Sequence, residues 1–284
     1  MLYSMWMVVA GFCFALMGVL IKHVSDTLAV PDVLFYRSLI NLIMIVFLMR
    51  QKGVAFSTSV PLLHVRRAMT GNLSLICMFF SIAHLPIATA TTLNYTNPIF
   101  LALLSIFLFK EKPTWLVYVA IFIGFIGIVT ILHPSFSPNQ YLGGLAGLTS
   151  GLLTALAYYS VGVLVQNGES ELRVVFYFSL TGVVMSLLWL MGTGFSHVDP
   201  SNFPTIIGFG TLGSLGQLCM TRAYGRGKAL TTSALSYTTV IFSALLSWLM
   251  LKDTLPGSTI LGIALIIIGG VLSMLFNSDR RKVS

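Results

Sequence analysis

Apolar positions along this chain do not alternate with polar ones. They run on for about twenty residues at a time and stop at short polar breaks. Ten such runs fall at about 3–22, 33–49, 67–85, 87–109, 115–133, 143–165, 172–192, 204–223, 229–251 and 257–276. A hydrocarbon core about 30 Å thick is crossed by roughly 20 apolar helical residues, so each run is long enough to span a bilayer as a helix. The period-two alternation of a membrane barrel is absent from these runs, and helices are expected. The separators, among them HVSDTLAVPD, KEKP, QNGESE and GRGK, are too short to fold as domains. The fold class predicted is all-α integral membrane, with ten transmembrane helices.

The pattern repeats at half length. Residues 89–111, TATTLNYTNPIFLALLSIFLFKE, match residues 231–253, TTSALSYTTVIFSALLSWLMLKD, at 11 of 23 positions when shifted by 142. Matched pairs include Thr89/Thr231, Tyr95/Tyr237, Thr96/Thr238 and Lys110/Lys252. Gly71, Leu73, Cys77 and Met78 match Gly213, Leu215, Cys219 and Met220 at the same shift, and Gly127 matches Gly269. Phe35-Tyr36-x-Ser38-Leu39 matches Phe176-Tyr177-x-Ser179-Leu180 at a shift of 141. A duplicated membrane chain is a common ground plan of secondary transporters. Residues 1–139 and 140–276 are read as two five-helix repeats, followed by a basic tail at 277–284.

Charge orients the runs. With a cytoplasmic N-terminus, 13 of the 16 Lys and Arg residues fall on the inner side. Only Lys22, Arg37 and Lys252 fall on the outer side, as the positive-inside rule requires. Both termini are then cytoplasmic. Five spans per half is an odd number, so the two repeats must insert with opposite orientation, and matched loops face opposite sides. The net charge of +8 is explained by loops and tail, and no basic run adjoins a soluble fold that would bind nucleic acid. Cys13, Cys77 and Cys219 lie inside apolar runs without metal-ligand spacing. The first run lacks a basic leader and a small-residue cleavage site, so it is expected to be a retained span. No nucleophile–base pair, metal site or cofactor motif is found.

Ten spans in two inverted repeats resemble the drug/metabolite transporter superfamily, specifically its EamA-type members. So do the charged step closing each fourth span (Lys110-Glu111 and Lys252-Asp253) and the Gly-rich last spans (GFIGIV and GIALIIIGG). The stretch RAYGRGKALTTSALSYTTVIFSALLSWLMLKDTL is especially similar to the second-repeat signature. The resemblance implies a multi-pass transporter of the cytoplasmic (inner) membrane that moves a small metabolite. It implies export first and uptake of a vitamin or nucleotide-like compound second. It names no substrate.

Polar residues at mid-run are the candidate substrate contacts. Arg37 lies about one turn into the second run with Asn41 one turn further. It either snorkels to outer headgroups or anchors a carboxylate or phosphate. Its repeat partner is Phe178, so the charge is not duplicated scaffold. Asn94, Tyr95 and Asn97 precede or flank Pro98, which removes the helical donor to the Asn94 carbonyl. Tyr237 and Thr238 stand at the matched place in the ninth run. Asn72, Gln217 and Tyr158 complete the set, with Trp6 and Phe14 as aromatic walls. Gly143, Gly144, Gly147 and Gly151 form a small-residue stripe that reads as close helix packing. No Asp or Glu lies within a run, and the five histidines lie near run ends as interfacial groups. Expected partners are the small-molecule metabolite, the lipid bilayer and, as a homodimer through Gly127 and Gly269, a second copy of the chain.

Overall fold

The computed structural model describes residues 2–109, 114–135, 140–251 and 256–276. The Lys110-Glu111 and Lys252-Asp253 steps and the basic tail lie outside them. The described residues form twelve α-helices, one short 3-10 turn and no strand. They are α1 (Trp6–Val24), α2 (Val30–Gln51), α3 (Pro61–His84), α4 (Ile87–Asn94), α5 (Asn97–Phe109), α6 (Trp115–Leu132), α7 (Tyr141–Gln166), α8 (Glu171–Thr193), α9 (Phe203–Arg226), α10 (Ala229–Ser236), α11 (Thr238–Leu251) and α12 (Gly257–Phe276). They fall on the ten apolar runs, with the fourth and ninth runs each split in two. Seven helical segments are long and apolar enough to cross a bilayer, one of them the α10–α11 stretch Ala229–Met250. The third run begins earlier than expected. Pro61 starts α3 at a position where its missing N–H costs nothing, which draws His64, Arg66 and Arg67 into the helix.

Polarity is distributed as a lipid solvent demands. Phe47, Trp115, Leu188 and Met191 are exposed, while Asp32, Asn41, Asn72, Gln217 and Thr232 are buried. A large apolar exterior around a polar interior belongs in a bilayer, and the protein is a multi-pass membrane protein.

The two halves interlock. α1 packs on α9 and α3 packs on α7, while α2 packs on α8 and α6 on α12. A half-length shift converts α1 into α7 and α3 into α9, so the first two contacts are one contact occurring twice. The other two map onto themselves. At the α6–α12 contact a Cβ on Gly127 would lie 2.7 Å from the Gly262 carbonyl oxygen, and one on Gly269 would lie 2.6 Å from that of Ala120. These glycines let the two helices approach closely within the chain. The small-residue stripe is also internal: Gly147 and Gly151 face Leu93, and Gly143 faces Leu85.

The same interlocking produces a tie at each end of the bundle. Asp32, in the first turn of α2, accepts hydrogen bonds from Ser196 N (3.2 Å) and Ser196 Oγ (2.6 Å) in the α8–α9 loop. Arg173, in the first turn of α8, donates to the Ala55 carbonyl (2.9 Å) in the α2–α3 loop and to Glu169 (2.6 Å). Shifted by 141, Asp32 becomes Arg173 and Ala55 becomes Ser196. The loops even share a left-handed glycine, Gly53 (φ 63°) and Gly194 (φ 81°). The matched aromatics found in sequence seat these loops: Phe35 packs on Phe195 and Phe176 on Phe56.

Candidate functional site

The two split helices meet at the centre. In the first, Thr96 Oγ1 donates to the Leu93 carbonyl (2.5 Å); in the second, Thr238 Oγ1 donates to the Leu235 carbonyl (2.7 Å). Both helices stop at these threonines, whose hydroxyls each bond the carbonyl three residues back. Sequence placed the irregularity at Pro98 alone. The structure breaks the helix at Tyr95–Thr96, and it breaks the second one where there is no proline. The carbonyl that Pro98 orphans is satisfied by its neighbour, since Asn97 Nδ2 donates to Asn94 O (2.9 Å).

Beside the breaks lies a cavity of about 240 Å³, bounded by residues of both halves. Six of the ten candidate residues line it: Arg37, Asn94, Tyr95, Asn97, Tyr158 and Gln217. Phe14 lines it as a wall; Trp6 does not. Four candidates lie elsewhere. Asn41 is buried within the bundle off the cavity, with its Oδ1 unpartnered. Asn72 donates to the Ala68 carbonyl (2.9 Å) at the α3–α8 contact. Thr238 is spent on the helix break. Tyr237 is 1% exposed, and a Cβ on Gly124 would lie 2.6 Å from its ring. Tyr237 thus lies in a notch on α6. The position matched to Gly124 is Ile266, which offers no notch, and Tyr95 faces the cavity instead, edge-on to Tyr237 at 6.3 Å.

Sequence reasoning missed Arg67, which it had counted as an inner-loop charge. Arg67 is 2% exposed, lines the cavity, and stacks 4.6 Å above the Phe178 ring. The available signal was Pro61: a helix beginning there carries Arg67 nearly two turns inward. Met7, Met220, Ser236 and Thr239 also line the cavity. So do Ser74 and Thr154, joined at 2.6 Å, within a polar cluster that includes Ser150, to which Asn94 donates at 2.6 Å.

The cavity is electropositive. Both guanidinium groups lie within electrostatic reach of Tyr158. Among the described residues neither has a carboxylate within 4 Å, and no Asp or Glu lines the cavity. Each has been given room by a glycine. Gly71 leaves the space occupied by the Arg67 guanidinium, and a Cβ on Gly213 would lie 3.3 Å from Arg37 Nε. Gly71 and Gly213 are a matched pair. Placing an arginine at mid-membrane costs about 2.5–3.5 kcal/mol on insertion scales. Two such side chains therefore need a reason. Snorkelling, the alternative for Arg37, does not describe a guanidinium turned into a central cavity.

Towards the end where α9 finishes, a second cavity of about 680 Å³ shares no lining residue with the first. Trp6, Lys52, Glu169, Glu171, Arg222 and Arg226 are on its wall, and Glu171 pairs with Arg222 (2.9 Å) and Arg226 (2.6 Å). Glu169 accepts from Thr58 (2.6 Å) and Arg173 (2.6 Å). Its Oε2 lies 3.3 Å from His64 Nε2, off the line of a hydrogen bond. Burial opposes the Glu169 charge. The bonds from Thr58 and Arg173, with the Arg173 charge, outweigh it and hold the carboxyl below its usual range. His64, read from sequence as interfacial, is buried against this carboxylate and the Tyr177 ring. Among the described residues no cluster of His, Cys, Asp and Glu has the makings of a metal site.

Known proteins share this organisation. A solved crystal structure superposes with a TM-score of 0.83 over 98% of both chains at 20% sequence identity, a likeness of fold alone. The pseudopaline exporter CntI of Pseudomonas aeruginosa is 31% identical over 92% of each chain. The S-adenosylmethionine uptake transporter of Rickettsia prowazekii is 25% identical over 96% of this chain and 95% of its own. An uncharacterized transporter of Helicobacter pylori is 29% identical over 93% and 91%. The profile of the EamA-like transporter family matches twice, over residues 1–133 and 141–275. The chain belongs to the EamA-like transporter family.

Proposed function

We propose that this transporter carries a small polar or amphipathic metabolite through the 240 Å³ cavity by alternating access. The observation that carries the reading is that the cavity is walled by both halves at the two helix breaks. The twelve helices act as ten spans, α4–α5 and α10–α11 each counting once. Residues 1–139 and 140–276 form inverted halves, 277–284 form a cytoplasmic tail, and both termini are cytoplasmic. The charge count, the odd number of spans and the mirror-related end ties support this arrangement. The Asp32–Ser196 tie then closes the outer face and the Arg173–Ala55–Glu169 tie the inner one. Opening one while the other holds exposes the cavity to one side at a time.

Export from the cytoplasm is the direction proposed, since the relative with 31% identity is an exporter. Uptake is the second reading, favoured by the S-adenosylmethionine uptake relatives. The test is a Ser74→Trp variant in proteoliposomes given a metabolite panel. An indole in a cavity with room for about eight waters should abolish flux while membrane insertion persists. A Ser74→Cys variant, active until a thiol reagent blocks it, guards against misfolding. Undiminished flux in the labelled protein refutes the cavity.

A further inference from the structure

Among the described residues the cavity holds two positive charges and no carboxylate to balance them. Arg37 reaches it from α2 and Arg67 from α3. A guanidinium is always charged in a protein, so this charge cannot be relieved by losing a proton. Arg67 is almost fully buried with Nε and Nη1 lacking any hydrogen-bond partner, and the buried Gln217 Nε2 also lacks one. Against these donors the cavity wall presents, among the described residues, one unpartnered buried acceptor, Asn97 Oδ1. The Phe178 face compensates Arg67 only in part.

Neither arginine is required by the scaffold. In the other half the positions matched to Arg37 and Arg67 are Phe178 and Phe209, so the same fold is built there with two phenylalanines. The matched glycines, Gly71 and Gly213, each make room for one guanidinium. A duplicated frame has been fitted with two unduplicated cations, directed into one small space.

We propose that the substrate is a small organic dianion bearing two carboxylates, one accepted by Arg37 and the other by Arg67. A guanidinium pairs with a carboxylate through two parallel N–H···O bonds, and two guanidiniums on separate helices suit two separated carboxylates. The loaded cavity is then neutral. The empty cavity carries two unpaired charges through the membrane, so the return step is fast only with a second dianion bound, and the protein works as an exchanger.

This inference rests on the cavity reading above, and one preparation tests both. The Ser74→Cys protein, with Cys13, Cys77 and Cys219 replaced by Ala, is labelled with a thiol reagent in the presence of a series of α,ω-dicarboxylates from malonate to adipate. The monomethyl esters and diamides of the same acids serve as controls. At least one diacid should slow labelling by about ten-fold more than its monoester, the worth of a hydrogen-bonded charge. That protection should vanish in Arg37→Gln and in Arg67→Gln and return in part with lysine at either position. In proteoliposomes, efflux of the protecting diacid should depend on a diacid outside. No protection by any diacid at millimolar concentration overturns the proposal, as does protection unaffected by both glutamine variants or efflux indifferent to the outside solution. Should thiol labelling leave all flux intact, the cavity reading falls first. Should labelling stop flux while diacids and esters behave alike, the cavity stands and the dianion falls.

Discussion

Removing the Asp32 carboxylate should open the outer face selectively. Asp32 is fully buried, sits in the first turn of α2 where the helix end favours a negative charge, and accepts two hydrogen bonds from Ser196. A hydrogen bond to a charged group contributes about 1.5–3 kcal/mol. If the tie is broken when the outer face opens, Asp32→Ala removes that much of the closed state's advantage. The opening equilibrium then moves by roughly ten- to a hundred-fold. Arg173→Ala should do the same at the other end, where it releases both Glu169 and the Ala55 carbonyl. The assay is the rate at which a membrane-impermeant thiol reagent reaches Ser74→Cys from each side of oriented vesicles. Asp32→Ala should raise the outer rate by about ten-fold or more and lower the inner one, and Arg173→Ala should do the reverse. The reasoning is refuted if both variants raise labelling from one side, or if the outer rate in Asp32→Ala stays within about two-fold of the parent. Opposite effects with the sides exchanged would keep the ties and overturn the assigned orientation.

Two further outcomes follow from the packing and the charges. Gly269→Ala should lower thermal stability in mild detergent by about 1–3 kcal/mol, because its Cβ meets backbone of Ala120 and Gly124, which cannot move aside cheaply. Gly270→Ala, whose Cβ meets only Leu235 Cδ2 at 3.5 Å, should be neutral or slightly stabilising; equal losses would refute the α6–α12 contact. The Glu169 carboxyl is held below its usual pKa of 4.5 in the folded protein, so its contribution is complete above about pH 4.5. That contribution is lost as pH falls through the lowered value. Unfolding midpoints measured down that range should fall less steeply in Glu169→Gln than in the parent, and parallel curves would show that the inner tie does not depend on this charge.

The runs of apolar residues carried most of the architecture, because a bilayer leaves the backbone few options and helices need length above all. The half-length repeat carried the symmetry. What the runs did not carry was depth. Arg67 looks like a loop residue when hydropathy alone sets the boundary, yet Pro61 starts its helix two turns earlier. His64 and Glu169 look like surface groups for the same reason, and the interlocked halves bury them against each other. The break at Tyr95 was visible only by way of Pro98. The feature the two breaks share, a threonine hydroxyl bonding three residues back, depends on a rotamer that sequence does not reveal.

The repeat also misled, and the way it did so separates frame from site. Tyr95 and Tyr237 match perfectly, and symmetry suggested one role for both. Their fates diverge through a residue neither contacts in sequence: Gly124 gives Tyr237 a notch, while its counterpart Ile266 gives Tyr95 none. Arg37 and Phe178 are the converse, a mismatch whose members line one cavity, with Arg67 laid on the phenylalanine. Two inverted copies of one sequence would build a cavity with equal walls and no preferred polarity. A substrate with distinct ends is read only where the copies have diverged. In this chain that divergence has put both cavity cations, Arg37 and Arg67, on the first half, where the second half has Phe178 and Phe209 at the matched positions.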